Sequence, residues 1–599
     1  MNFTKEQELK LKKLGIKTLG ELALLIPHSY EDYRIHEKLI PQKAQLIDAT
    51  VESVYKAPNS IQITFFAHNL GYSVQGVLFR PKAYMLHQFK AGERDYYYGV
   101  IDCKQGHCSM SMPKKITHVG AISPKYKSAL RNDVMQRLVQ SCITKENLLH
   151  VGLKEDVAEE LLKLHFPSDS ALQKGEFSEK ALWALKYTEL YSYMQMLAGK
   201  RRYFRGLSSQ ARAYDTWSKT LPFTLTNEQI EAIKEIETDL QKEVAAKRMV
   251  VGDVGSGKTM VILAAAYMNL PHRCILMAPT TILANQLYEE AQKYLPQAKS
   301  VLVTNKTKKI DLSSFDFIIG THALLFRELP EASLVMVDEQ HRFGTAQRNM
   351  LEKLVSEKEL KPHFIQFSAT PIPRTQAMIE SAHIDVSLIT STPFPKDIDS
   401  QVIHKNDFKD LLLHVKSEIA KNNQVLLVYP LVEQSEILAY QSIEEARSYW
   451  EKNFENVYVT HGKDKEKEKV LVEFREKGSL LIATTVVEVG ISLPRLTTVV
   501  IVGAERLGLS TLHQLRGRVS RTGLKGYCYL YTNQESSKRL DEFVNTVSGF
   551  DIANLDLKFR KSGDLLKGIS QSGSQFQWLD FAEDEAIVKE VKNDLHLLS

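Results

Sequence analysis

The chain has 599 residues, a formal net charge of +5 at pH 7, 43% hydrophobic residues and 25% charged residues. That length suggests about four domains, and the composition is that of a globular chain able to bury several cores. No apolar run approaches the ~20 residues that cross a bilayer, and the first residues carry no apolar stretch behind their charges, so a membrane protein and a secretory leader are set aside. The charge bias is weak, so a nucleic-acid partner requires positive charge concentrated locally.

Residues 1–45 read as an N-terminal helical segment. Residues 46–124 read as a barrel domain. Within 46–112 five β-rich runs, LIDATVESVY, SIQITFFAH, YSVQGVLF, DYYYGVIDC and HCSMSMP, are separated by turn signals such as Asn69-Leu70-Gly71 and Lys90-Ala91-Gly92. Five short strands in that span predict a small barrel of the OB-fold kind, with a sandwich-like interaction module as the alternative. Cys103 and Cys108 have the wrong spacing for a zinc knuckle, and Cys142, Cys274 and Cys528 stand alone. The expectation is five reduced thiols in a cytoplasm, with neither disulfide nor zinc site. Residues 125–215 read as a helical spacer, basic and aromatic at KRRYFRG (200–206).

From 216 to 395, buried strands RMVVGD, CILMAP, SVLVT, FDFIIG, SLVMVDE and HFIQFSAT alternate with amphipathic helices. From 396 to 540 a second such run follows with QVLLVYP, NVYVTHG, SLLIATT, TTVVIVG and GYCYLYT. Each run predicts a parallel sheet covered on both faces, giving two α/β domains in tandem that meet near Ser391–Asp399. Residues 541–599 form a further C-terminal segment.

Gly252-Asp253-Val254-Gly255-Ser256-Gly257-Lys258-Thr259 follows a strand and precedes an apolar helix. Glycines let backbone N–H groups approach phosphates, and the helix N-terminus adds positive potential. Lys258 would reach the β- and γ-phosphates of ATP, and the Thr259 hydroxyl would ligate Mg²⁺. Asp338 and Glu339 end the strand SLVMVDE at a sheet's carboxyl edge, where ligands bind. Asp338 would hold Mg²⁺ and Glu339 would position and deprotonate the attacking water; a solvated strand end is the bland alternative. Ser368-Ala369-Thr370-Pro371 follows the next strand and would link nucleotide to nucleic-acid track through Ser368 and Thr370. In Gln514-Leu515-Arg516-Gly517-Arg518-Val519-Ser520-Arg521, Arg518 and Arg521 are three apart and share a helix face. Their permanent charge and forked donors suit phosphate oxygens offered from across a cleft.

Together these motifs resemble the superfamily 2 helicases. Pro279 to Gln286, with Thr280, looks like motif Ia, Gly320-Thr321-His322-Ala323-Leu324 like motif Ib, and Ala483 to Gly490, with Thr484, like motif V. Asp338 to Gly344 and Ser368 to Thr375 are similar to motifs II and III as written in the RecG and Mfd group. Leu221-Pro222-Phe223-Thr224-Leu225-Thr226 and Gln229 resemble the adenine-reading region, which implies cofactor contacts for Phe223 and Gln229. Leu557 to Leu566 and Gln571-Ser572-Gly573 resemble that group's translocation element, implying coupling roles for Arg560 and Gln571. Leu14 to Leu22 and Pro27 to Asp32 look like the start of the RecG wedge, in a short N-terminal form; Phe79 and Tyr84 then fall where the wedge offers aromatics to bases. The chain departs from the family pattern at Ser492, at Ser520 and at Arg560-Lys561-Ser562-Gly563.

The resemblance implies two RecA-like motor domains behind an OB-fold wedge. It implies an ATP- and Mg²⁺-dependent double-stranded DNA translocase or helicase, cytoplasmic and monomeric, that remodels branched DNA in recombination and repair. Its substrates would be stalled forks, Holliday junctions, D-loops and R-loops, and single-stranded DNA-binding protein would be a partner. The alternatives are a transcription-coupled-repair-like translocase and a non-enzymatic protein that binds branched DNA.

Overall fold

The computed structural model of the chain describes residues 3–40, 42–82, 85, 87–104, 107–168, 177–207, 211–339, 342–347, 349–350, 360–369, 373–394, 397–430, 440–485, 493–520, 523–567 and 576–596, with the backbone alone at 560–567 and 596. It divides into two units, one of Met1–Gln195 with Gln575–Leu579 and Asn593–Ser599, the other of Met196–Ser574 with Asp580–Lys592.

In the first unit, α1 (Lys5–Leu14) and α2 (Leu19–Ala23) each start on a threonine whose hydroxyl caps the third backbone N–H, with Gln7 and Glu21 reaching back to close the capping box. Strand β1 (Ser29–Asp32) pairs antiparallel with β7 (Ile122–Lys125). Between them β2 (Ala44–Ala57), β3 (Ser60–Ala67), β4 (Tyr72–Phe79), β5 (Arg94–Lys104) and β6 (His107–Ile116) close a barrel in the order β2-β3-β4-β6-β5. All neighbours are antiparallel except β4 and β6, which is the Greek-key connectivity of an OB-type barrel. The alternation in β3 explains the closure: Ile61, Ile63, Phe65 and Ala67 point into the core, where Phe65 packs on Phe89 and Tyr97. The expected spacer is helical, with α3 (Asn132–Cys142), α4 (Lys145–His150), α5 (Glu155–His165) and α6 (Glu179–Ala198).

One expectation about the cysteines is overturned. Cys103 and Cys108 form a disulfide, because the β5–β6 hairpin sets them opposite each other with Cα atoms 4.0 Å apart. Their spacing fails a zinc knuckle and fits a hairpin. Cys142, Cys274 and Cys528 are free and buried.

The second unit holds two α/β lobes. Lobe 1 follows α7 (Tyr214–Ser218) and α8 (Asn227–Leu240) with β8 (Lys247–Gly252), α9 (Lys258–Asn269), β9 (Cys274–Met277), α10 (Thr281–Tyr294), β10 (Ser300–Val303), β11 (Phe317–Gly320), β12 (Leu334–Asp338), β13 (His363–Ser368) and β14 (Asp385–Ile389). Its sheet is wholly parallel, in the order β10-β11-β9-β12-β13-β8-β14. Lobe 2 is also wholly parallel, with β15 (Ile398–Ile403), β16 (Gln424–Val428), β17 (Val457–Thr460), β18 (Leu480–Ala483), β19 (Leu496–Val502) and β20 (Gly526–Tyr531) in the order β15-β20-β19-β16-β18-β17. These are the two α/β domains that the alternation of strands and helices predicts, with the RecA-like architecture that the resemblance implies. Each gains one strand, β14 and β15, that the apolar runs do not reveal. Both are edge strands, only partly buried, so neither needs a continuous apolar sequence. No helix among the described residues is long and apolar enough to cross a membrane.

The C-terminal segment returns to the first unit. The Glu189 carboxylate on α6 accepts the backbone N–H groups of Gln577, Trp578 and Leu579 at 2.6, 2.8 and 3.0 Å. Asp594 accepts the Tyr187 hydroxyl at 2.7 Å and pairs with Lys154 at 2.8 Å. Glu189→Ala removes three hydrogen bonds at once, each loss worth about 1 kcal/mol or more. The expected outcome is faster protease cleavage around 575–580 with barrel circular dichroism unchanged; unaltered cleavage would show that packing alone holds the segment.

Candidate nucleotide site between the two lobes

The loop 253–257 connects β8 to α9 at the carboxyl edge of the lobe 1 sheet. Gly257 takes φ +75°, and a Cβ there would lie 2.3 Å from the Gln229 amide nitrogen, so glycine is required on both counts. Gln229 is buried at the start of α8. Its Oε1 accepts the Thr226 N–H at 2.8 Å and its Nε2 donates to the Ser256 carbonyl at 2.7 Å, so the side chain ties the α8 cap to the loop. Lys258 lies over the loop, its Nζ donating to the Gly252 and Asp253 carbonyls at 2.7 and 3.0 Å.

Asp338 ends β12 and is buried; burial first, and the neighbouring Glu339 charge second, push its carboxyl well above the usual carboxylate range, while Lys258 pulls it back. Glu339 adopts φ +52°, a conformation a non-glycine residue holds only when its surroundings impose it. Two bonds impose it here: its N–H donates to the Phe367 carbonyl at 2.8 Å, and its Oε1 accepts the Ala369 N–H at 2.9 Å. The carboxylate is thus carried over to the end of β13, beside Ser368.

These groups line one cleft of about 710 Å³, which gathers Val254, Gly255, Gly257, Lys258 and Thr259 with Asp338 and Glu339, and Phe223 and Gln229 with Arg518 from lobe 2. Ser520, a departure from the family pattern, faces the same space. Gly252, Asp253 and Ser256 do not line it. Ser256 is fully buried and Gly252 ends the strand beneath the loop.

Asp253 points the other way. Its carboxylate, in a residue 4% exposed, meets His513 Nε2 at 2.5 Å and the Gly549 N–H at 3.0 Å. His513 lies on the helix Leu509–Arg516, and its Nδ1 faces Arg516 Nη2 at 3.3 Å. Arg516 donates to the Phe543, Thr546 and Val547 carbonyls at 3.2, 2.8 and 3.3 Å and lies 4.3 Å from the Phe543 ring centre. Arg342 and Gln514 make a second bridge between lobes at 2.8 Å. His513, Arg516, Arg342 and Gln514 escape the sequence reading. The one signal for them is their position inside or beside the Gln514–Arg521 and Asp338–Gly344 runs.

Expected nucleic-acid residues are scattered. Thr280 caps α10 through the Leu283 N–H, and Thr321 is buried, its hydroxyl accepting the Ala323 N–H. Thr484 is half-buried just after β18. Phe79 ends β4 in the barrel and is 59% exposed. Arg521, Thr370, Tyr84 and Gln571, the departure Ser492, and the side chain of Arg560 lie outside the described residues.

Two family models match the motor: "DEAD/DEAH box helicase" over residues 226–379 and "Helicase conserved C-terminal domain" over 405–523. A curated relative from Helicobacter pylori, named ATP-dependent DNA helicase RecG, is 44% identical and covers 98% of this chain and 97% of its own length. The protein of that name from Aquifex aeolicus is 32% identical over 95% of this chain and 80% of its own. A solved structure of RecG bound to a three-way DNA junction aligns with TM-score 0.58 at 27% identity, covering 100% of this chain and 84% of that one. Full-length relatives, both motor models and the order of barrel and lobes agree: the chain belongs to the RecG family of ATP-dependent DNA helicases.

Proposed function

We propose that the chain is a double-stranded DNA translocase that acts on branched DNA, regressing stalled forks, migrating Holliday junctions and unwinding D-loops and R-loops. The observation that carries this reading is the cleft itself: a phosphate loop, two strand-end carboxylates and an arginine from the opposite lobe share about 710 Å³. In this reading residues 46–124 are the wedge, 125–215 the spacer, 216–395 and 396–540 the motor domains, and 541–599 the translocation hairpin and C-terminal segment. The motor works as a monomer in the cytoplasm and meets a single-stranded DNA-binding protein at the fork.

Each role follows from chemistry at a stated atom. The N–H groups at the start of α9 and the Lys258 ammonium bind the β- and γ-phosphates, the ammonium exchanging its present loop carbonyls for phosphate oxygens. Phe223 flanks the base, and Gln229 holds the loop in shape through Ser256. Glu339 takes the proton of the attacking water, aimed by its two bonds to the end of β13. Arg518, with Arg521, stabilises charge on the transferred phosphoryl group, a contribution of ~10³–10⁵ in rate for an arginine finger. Thr259 and Asp338 offer a hydroxyl and a carboxylate oxygen, hard ligands that fit Mg²⁺, and the raised proton affinity of Asp338 marks a place that wants a cation. Mg²⁺ there would neutralise phosphate charge. Ser368, Thr370, Thr280, Thr321 and Thr484 carry the closure towards DNA, as do Arg560 and Gln571. Phe79 and Tyr84 stack on bases at the junction, worth ~1–3 kcal/mol per base.

Lys258→Ala should lower ATP turnover by about a hundredfold or more, measured by phosphate release; retained turnover removes the site assignment. His513→Ala removes one of the donors to the buried Asp253 carboxylate. DNA-stimulated turnover should fall about tenfold while binding of a fluorescent ATP analogue holds, and equal losses in both would make His513 merely structural. On substrates, a synthetic fork should stimulate hydrolysis more than linear duplex or single strand and yield regressed product in the same tube. Equal stimulation by plain duplex with no product would refute the branched-DNA reading while leaving an ATPase.

A further inference from the structure

A second cavity, of about 560 Å³, opens at the opposite end of the lobe 1 sheet. It lies at the amino edge, where β8, β13 and β14 begin, and shares no lining residue with the nucleotide cleft. One wall is formed by Lys200 to Phe204, part of the basic and aromatic run 200–206 that the motor chemistry leaves unused. That run is fixed in place: the Phe204 carbonyl accepts the Ala245 N–H at 2.9 Å, the Arg205 carbonyl accepts the Lys361 N–H at 2.9 Å, and the Gly206 N–H donates to the Glu243 carbonyl at 2.6 Å.

The charge in this cavity is unbalanced. Lys361 is 6% exposed, and its Nζ lies 3.6 Å from the centre of the Phe204 ring, with no carboxylate partner among the described residues. Lys200, Arg202 and Lys247 line the same space, and they too have no ion pair among the described residues. The lining's acidic residue, Asp385, is taken by Arg201 at 2.8 Å, and Lys242 is held by Asp239 at 2.7 Å. Val244, Ala246 and Phe364 add apolar surface, beside the polar Gln366 and His383. Cations without ion pairs gathered around one concave space favour a ligand that brings carboxylates.

We propose that this cavity docks an acidic peptide segment of another protein, its carboxylates on Lys361 and the rim cations and one large apolar side chain against Val244 and Phe364. A nucleic-acid strand would need open aromatic faces for its bases. Here each of the two exposed aromatics already has a cation beside its ring, Lys361 at 3.6 Å from the Phe204 centre and Arg201 at 5.5 Å from the Tyr203 centre. A carboxylate can bind those cations where they sit. The proposal does not depend on the motor reading.

The test is a fluorescence anisotropy titration of the full chain with a fluorescein-labelled peptide, Glu-Asp-Glu-Trp-Asp-Glu. Controls are the same peptide with Gly for Trp, a Ser/Asn analogue without charge, and a short oligothymidine. The expected result is saturable binding, weaker by more than about tenfold for Lys361→Met, which keeps the apolar stem. The surface variant Arg202→Glu should weaken it similarly, both charge-free and Trp-free peptides should bind worse, and DNA-stimulated ATP hydrolysis should be unchanged in both variants. Absence of binding, binding indifferent to both variants, or displacement by oligothymidine that the same variants abolish would each overturn the proposal, the last by assigning the cavity to nucleic acid.

Discussion

One buried carboxylate sets the geometry on which the motor depends. Asp253 sits inside the phosphate loop yet is bonded to lobe 2, through His513 and the Gly549 N–H. A Cβ at position 549 would lie 2.6 Å from the Asp253 carboxylate, so only glycine allows that helix start to come so close. The arginine donor at Nδ1 and the carboxylate at Nε2 together fix the His513 tautomer with its hydrogen on Nε2. From there Arg516 runs the connection into carbonyls at the end of Lys538–Asn545 and the turn that leads to Gly549. Parting the lobes would strip a buried carboxylate of two donors, a cost of about 1–3 kcal/mol for each group left unsatisfied. The loop 253–257 therefore cannot shift without pulling on the segment that follows lobe 2, and the converse also holds.

The second constraint is electrostatic. Asp338 and Glu339 are adjacent carboxylates at a buried strand end, and the charge of Glu339 disfavours that of Asp338. The fold relieves this by swinging Glu339 into the left-handed region and bonding it to β13. It also keeps cations near, Lys258 from lobe 1 and Arg518 from lobe 2. Strain, like charge and these cations meet at the carboxyl edge of a parallel sheet, where helix N-termini add positive potential.

The parts legible in sequence are those written locally. The phosphate loop, the acidic pair and the arginine run each lie within eight residues, beside strands whose apolar runs announce a two-sided sheet. The barrel is legible for a similar reason, since alternation in runs such as Ser60–Ala67 encodes an inside and an outside. What escapes is long-range pairing. Asp253 and His513 are 260 residues apart, and no spacing rule links them, so Asp253 reads as a cofactor contact when its side chain faces the other lobe. Edge strands β14 and β15 escape because partial burial asks little of their sequence. The Cys103–Cys108 pair escapes because only hairpin register reveals it. Thr321 fits a nucleic-acid motif by position, and its hydroxyl also caps the short helix after β11.

The two ends of the lobe 1 sheet differ in a way that separates charge required by the fold from charge available for recognition. At the amino edge of a parallel sheet the covering helices present their C-terminal ends, and α8 ends at Leu240 just before β8 begins. Negative helix ends attract cations, which is reason enough for exposed lysines such as Lys242 near that terminus. It does not explain Lys361, which lies just before β13, 6% exposed, with its ammonium over the Phe204 ring. Nor does it explain why the wall beside it is pinned by backbone bonds on both flanks. Helix dipoles account for the sign of that surface; a concave, apolar-floored shape around a buried cation goes beyond what they require.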